Sequence, residues 1–303
     1  MKHTNKNMRV WLVGWYILFS ILVAATVPAQ TQKIIVRHGT EKNALDVVLA
    51  TTVDDYGPYE LIDSKRMTVG RSIQSLIDNN HINFISFTSN HEREEKLLPI
   101  MLPLNDGLLG YRICLIKKGT QHKFDTIQTL EEWKDAKLKI GSGTHWSDTP
   151  ILEANQLSVT KAGNYTQLIG MLDKGRLDCV SRGLGEVLHE AQEHQSKEIE
   201  IEKNLLLVYP MRSLWFVSRK DPELAKRIKV GYERALKNGT WQAHLKKKYN
   251  QIMHEVKPLN LEKRTIIYLE NPFIPEETKN LPPIVPFIQE LLKKKPSQQQ
   301  NDI

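Results

Sequence analysis

Cysteine is nearly absent from this chain: two occur in 303 residues, Cys114 and Cys179. Neither lies near the apolar stretch at the N-terminus, which excludes lipid attachment through a cysteine at a cleavage point. Both fall in short apolar runs, 113–116 and 177–180, and are expected as buried free thiols in strands, although an oxidising compartment permits a bridge. Long hydrophobic runs are equally scarce. After residue 29 no stretch approaches the ~20 apolar residues that a membrane-spanning helix needs. Charge of one sign is also in short supply: of a net +7, three positive charges precede residue 30, leaving about +4. The lysine triplets 246–248 and 293–295 carry no interleaved aromatics and read as solvated helix ends, so nucleic acid is not an expected partner.

Catalytic signatures are missing too. Neither G-x-S-x-G nor G-x-x-x-x-G-K-[ST] occurs. His189 and His194 are five residues apart, which turns them roughly 140° from each other on a helix, where zinc histidines need one face. Ser158-Val159-Thr160-Lys161 matches S-x-x-K but lies outside a convincing helix and lacks its companion motifs. No catalytic residue, metal or cofactor is expected.

What is present begins with an address. Lys2, Lys6 and Arg9 precede an apolar run from Val10 to Val27, and Val27-Pro28-Ala29 offers small residues for a signal peptidase. Residues 1–29 are expected to be a secretory signal cut after Ala29, placing the protein in the periplasm; an uncleaved anchor is the alternative.

Beyond it strands and helices alternate, the pattern of an α/β protein. Short apolar runs at 33–37, 82–87, 111–116, 137–140, 177–181, 205–208 and 214–218 read as strands. Glu41 to Val53, Ser72 to Asp78, Gly185 to His194 and Pro222 to Leu236 read as helices, and Thr149 should cap a helix with Pro150 at its first position. Asn164 with Gln167 predicts a capping box, Tyr165, Leu168, Ile169 and Leu172 form the stripe, and Gly175 stops the helix.

One internal echo bears on architecture. Residues 76–86 (LIDNNHINFIS) and 171–181 (MLDKGRLDCVS) share Asp78/Asp173 and Ser86/Ser181, each copy ending a helix, turning and entering a buried strand. Eleven residues of likeness can arise by chance or from a common βα idiom; the other reading is two related lobes facing one site. Ligands of open α/β sheets gather at the carboxyl ends of strands. The first copy delivers Ser86, Phe87 and Thr88 there, and the second delivers Ser181, Arg182 and Gly183. The loop Gly141-Ser142-Gly143-Thr144-His145-Trp146 follows a strand and precedes a helix, offering free backbone N–H groups and a stacking ring; ordinary loop packing is the alternative.

With Ser86-x-Thr88 followed by Arg93, Pro99-Ile100, Gly107-Leu-Leu-Gly-Tyr-Arg112, the loop from Gly143 to Asp148 and Gly175-Arg176-Leu177-Asp178, the chain resembles the type II periplasmic solute-binding proteins of amino-acid ABC transporters, over about Lys33 to Tyr249. The resemblance implies two Rossmann-like lobes joined by a two-crossover hinge near Leu104 to Gly107 and Tyr209 to Met211. Lobe 1 is expected to comprise 30–106 and 210–270, lobe 2 to comprise 107–209, and 271–303 to form a partly disordered extension. It implies a monomer that closes on a small polar or anionic, amino-acid-like ligand for a membrane permease of the ABC type or for a sensor; an exported enzyme built on the same scaffold is the alternative. By the same resemblance Arg93 forks onto a ligand carboxylate with Ser86 and Thr88 as donors, and Thr144 meets it from lobe 2, beside Gly143, His145 and Trp146; a surface network with the flanking Glu92, Glu94 and Glu95 is the alternative for Arg93. The acid that holds an α-ammonium in such proteins is missing after the second-lobe strand, where Ser181-Arg182-Gly183-Leu184 stands and Glu186 comes later. An Arg182 facing the cleft would favour an anionic ligand; facing solvent it would not.

Overall fold

The computed structural model describes residues 30–102 and 108–281. The expected signal peptide, the first hinge crossing at Leu104 to Gly107 and most of the C-terminal extension therefore lie outside the described residues. In chain order the strands are β1 (Gln32–Val36), β2 (Tyr59–Asp63), β3 (Phe84–Thr88), β4 (Leu98–Ile100), β5 (Tyr111–Lys117), β6 (Lys139–Gly143), β7 (Ser158–Ala162), β8 (Cys179–Gly183), β9 (Ile199–Ile201), β10 (Leu205–Val208), β11 (Ser213–Val217) and β12 (Thr265–Tyr268).

They form two sheets, one in the order β2-β1-β3-β11-β4, the other in the order β12-β10-β5-β8-β6-β7 with β9 paired to β5. Read from β7 inward, the second sheet repeats the first. In each, two parallel outer strands (β2-β1, β7-β6) lead to a parallel third (β3, β8) and then two antiparallel neighbours (β11-β4, β5-β10). The two segments of the sequence echo supply β3 and β8, which hold the same place in the two sheets. Each follows a helix ending on the matched aspartate, Val69–Asp78 and Tyr165–Asp173.

Alternation along these strands builds two half-cores per lobe. In the first sheet Ile34, Val36, Phe84 and Trp215 face Leu45, Val48 and Leu49 of the helix Asn43–Ala50 and Leu224 and Ile228 of the helix Pro222–Lys237. Ile85, Leu214 and Phe216 face Leu76 on the other side. In the second sheet Ile113, Leu115 and Val180 face Leu168, Ile169 and Leu172 of the helix Tyr165–Asp173. Ile116, Ile140 and Leu207 face Trp133.

Local chemistry departs from expectation in three places. Asn164 does cap its helix, accepting from Gln167 N at 2.9 Å, but Gln167 Oε1 reaches back to Gly163 N at 3.0 Å rather than to the cap residue itself. Thr149 is not a cap: Asp148 precedes the helix Thr149–Ala154, and the Thr149 hydroxyl turns to Gly143 O at 2.7 Å and Ser142 Oγ at 2.6 Å, fixing the loop between. Ser158 to Lys161, with no assigned element in the sequence, lies in the edge strand β7.

The expectation of free thiols is overturned, because Cys114 and Cys179 form a disulfide with Cα atoms 5.3 Å apart. They sit on adjacent antiparallel strands, where Cys114 is level with Ser181 and Cys179 is a diagonal neighbour on the same face. A sequence separation of 65 makes the closed loop large, worth about 4 kcal/mol in unfolded-state entropy. The double variant C114S/C179S should lose about 2–4 kcal/mol in a denaturant titration with little change in ligand affinity, since the bridge lies inside the second-lobe core.

The lobe boundaries also need correction. β12 pairs in parallel with β10, so residues 265–268 belong to the second sheet, not to the first lobe as expected. The helix Thr240–Val256 carries the chain there: Trp241 at its start packs in the first-lobe core and Val256 at its end in the second. At the crossing between β10 and β11, Tyr209 N donates to Gly110 O at 3.0 Å, and any side chain at Gly110 would collide with the Tyr209 carbonyl. The chain beyond β12 returns to the first lobe, where Phe273 O accepts from His91 N and Leu281 O from Arg212 Nη2.

Candidate functional site

The lobes touch where the carboxyl end of β3 meets the loop after β6. Thr88, the last residue of β3, donates through Oγ1 to Ser147 Oγ at 2.6 Å. Arg93 follows in the short helix His91–Lys96, which Asn90 caps by accepting from Arg93 N at 2.9 Å. The cap turns the Arg93 side chain back over the strand end. Its Nη1 donates to Thr88 O at 2.8 Å and to Thr88 Oγ1 at 3.1 Å, and its guanidinium lies 4.5 Å from the Phe87 ring centroid. Glu92, Glu94 and Glu95 do not ion-pair with it among the described residues; Glu94 is held instead by the Ser89 hydroxyl and by Thr278 Oγ1 at 2.5 Å. Burial pushes the Arg93 guanidinium down to about 10, partly opposed by Glu92, and its Nε is buried without a partner. A cation so placed gains from an incoming anion, because unsatisfied donors in a low-dielectric setting are costly.

Ser86, two residues earlier on the same face, shares a hydrogen bond with Ser213 Oγ at 3.2 Å across β3 and β11. A second arginine shares the ring. Arg37, the first residue after β1, lies 6.0 Å from the Phe87 centroid and is oriented by Nε donation to Ser72 Oγ at 3.3 Å. Burial lowers its pKa as well, and it has no carboxylate partner among the described residues.

In the second lobe the loop from Gly143 to Asp148 folds on itself. Trp146 N donates to Gly143 O at 2.9 Å, and the indole lies so close over Gly143 that a side chain there would clash with the ring. Thr144 and His145 are exposed, and Thr144 Oγ1 donates to Ala162 O at 3.1 Å. Asp148 is buried and takes Arg112 Nη2 at 2.5 Å, while Arg112 Nε donates to Tyr209 OH at 3.1 Å. Burial opposes the Arg112 charge, yet Asp148, Tyr209 and Glu186 hold its pKa above the ordinary value. Ser147 is therefore tied to the hinge crossing at Tyr209 through its neighbour Asp148.

Two expected residues are placed elsewhere. Ser181 is fully buried on the disulfide face of β8, and its hydroxyl has no partner among the described residues. Arg182 points to the opposite face, stacked 4.7 Å from Trp146 and 4.9 Å from Tyr165, and forks onto Glu190 through two contacts of 2.5 Å. Its charge is already matched, so the anion preference considered for it does not arise from this residue. Trp146, covered by Gly143 and Arg182, is in turn a packing surface within its own lobe.

The sequence reading missed Arg37, Ser147 and the Arg112–Asp148–Tyr209 cluster. Arg37 was within reach of the same rule that selected Thr88, since it stands at the carboxyl end of a parallel strand. Ser147 and the cluster depend on contacts across 59, 36 and 97 positions, which no local pattern encodes.

No family model and no curated protein matches the chain. Solved structures do. An ancestral arginine-binding protein bound to glutamine superposes with a TM-score of 0.50 at 18% identity, covering 72% of this chain and 98% of that one. The VFT2 domain of Bordetella pertussis BvgS, as a double mutant, superposes with a TM-score of 0.50 at 13% identity, covering 76% and 93%. At these identities the likeness is one of fold, and it agrees with the repeated sheet order: the chain has the two-lobed architecture of the type II solute-binding proteins.

Proposed function

We propose that this protein is an exported receptor that captures a small anionic solute between its lobes and presents the closed form to a membrane transporter. The observation that carries the reading is Arg93. It is a charged guanidinium with a buried, unpartnered Nε, no carboxylate partner among the described residues, and a place in the hydrogen-bonded contact that joins the lobes. Paired guanidinium donors suit a carboxylate. A small molecule held there contacts the β3 end directly and reaches the opposing loop through Ser147, so its binding energy is available to bias closure. A membrane signalling protein is the second reading of the partner, since a closing clamp serves either use; the basic and apolar N-terminal segment supports export in both.

The test is to purify the full chain, denature it and identify released small molecules by mass spectrometry, then titrate the recovered compound by calorimetry. Recovery of an acid, unchanged after incubation with refolded protein, supports capture without turnover. Recovery of a cation alone, or conversion of the compound, would remove the reading.

A further inference from the structure

We infer that the ligand carries two carboxylates, one for Arg93 and one for Arg37, so that the site selects a small dicarboxylate over a monocarboxylate of the same shape. This rests on the capture reading above and names the chemical class that the same site takes.

The inference follows from where charge is matched and where it is not. In the second lobe the cations near the cleft are already neutralised. Arg182 is forked by Glu190 and lies 3.1 Å from Glu186, while Arg112 holds Asp148 and lies 3.7 Å from Glu186. In the first lobe the reverse holds: Arg37 and Arg93 both lean on the one Phe87 ring, and neither has a carboxylate within ion-pair distance among the described residues. The ring face attracts cations but supplies no full negative charge. Both guanidinium groups are held in place by neutral atoms, Ser72 Oγ for Arg37 and Thr88 O and Oγ1 for Arg93. Each guanidinium is partly buried with no full negative charge against it, and burial disfavours the charge on both, so each gains from an anion brought beside it. A single carboxylate on Arg93 leaves Arg37 unmatched. A second carboxylate on the same molecule matches it.

A neutral amide in place of the second carboxylate keeps shape and hydrogen-bond acceptors but loses the charge. It therefore isolates the contribution of Arg37 from that of fit.

The experiment is calorimetric titration of the full chain with succinate, glutarate, L-aspartate and L-glutamate, and with the monoamide of each: succinamate, glutaramate, L-asparagine and L-glutamine. L-Arginine and L-alanine complete the panel. The expected result is that the best diacid binds about 10- to 100-fold tighter than its own monoamide. Arg37→Gln should erase that ratio by weakening the diacid, leaving the monoamide within about threefold, and Arg37→Lys should retain part of it. Comparing amino diacids with plain diacids shows whether an ammonium is recognised. If the monoamide binds as tightly as the diacid, or if Arg37→Gln weakens both equally, the dicarboxylate inference is overturned while capture stands. The same holds if L-arginine or L-alanine binds and no diacid does. If nothing in the panel binds, the dicarboxylate inference is overturned, and the compound recovered from the denatured protein decides the capture reading separately. An unchanged circular dichroism spectrum and unfolding midpoint for both variants separate loss of binding from loss of fold.

Discussion

Arg112→Met is expected to lower the unfolding free energy by about 3–5 kcal/mol, the largest effect of any single change considered for this protein. The reason is the residue left behind. Asp148 is buried, its ion pair with Arg112 at 2.5 Å is the contact that matches its charge, and Tyr209 OH at 3.5 Å is the remaining neighbour in the cluster. Removing the guanidinium strands a carboxylate in a low-dielectric site. Removing both charges does not, so R112M/D148L should recover much of the loss, whereas Tyr209→Phe alone should cost about 1–2 kcal/mol. Urea titrations of the three variants and of Asp148→Leu check this, the last closing a double-variant cycle that reports the coupling between Arg112 and Asp148. A cost below about 1 kcal/mol for Arg112→Met would mean that Asp148 is not confined as described. The cluster matters beyond stability because it fixes the loop bearing Ser147 to the crossing at Tyr209, so the edge that meets Thr88 is rigidly joined to the hinge.

Arg93→Gln is expected to weaken binding of an acidic ligand by about 100-fold while leaving the free protein as stable as the parent, or slightly more so. The two expectations come from one fact. The guanidinium is partly buried with an unsatisfied Nε, which costs the empty protein and favours the complex. A residue present only for structure behaves in the opposite way, losing stability on replacement with no selective effect on affinity. The measurements are paired: calorimetry with the acid recovered from the protein or found in the panel, and unfolding without it. Arg93→Gln should weaken diacids and monoamides alike, which distinguishes it from Arg37→Gln. Equal affinity in parent and variant would remove Arg93 from the site.

The legibility of the site in the sequence followed the range of the interactions. Thr88 was singled out by its place at a strand end and Arg93 by the family resemblance; in the structure they lie five residues apart, brought together by the strand end and the Asn90 cap. For Trp146 and Arg182 the sequence left the role open between ligand contact and packing, because each is covered by a residue that local spacing does not identify. Arg182 is engaged by Glu190 on the next helix, and Trp146 by Arg182 itself. Ser181 shows the limit of the internal echo. It matches Ser86 in position within an equivalent strand, yet one hydroxyl meets Ser213 and the other is enclosed beside the disulfide. Equivalent backbone does not carry equivalent surroundings.

The sequence by itself determined the alternation of strands and helices, the helix stop at Gly175 and the repeated helix–turn–strand unit, since all of these depend on spacing and backbone preference within about a dozen residues. Tertiary structure alone decided that Cys114 and Cys179 are joined, that β12 returns to the second sheet, and that Arg37 shares Phe87 with Arg93. Those outcomes depend on which strands become neighbours. Neighbours are chosen by the burial of whole faces against each other, a sum over many distant residues that no single stretch of chain contains.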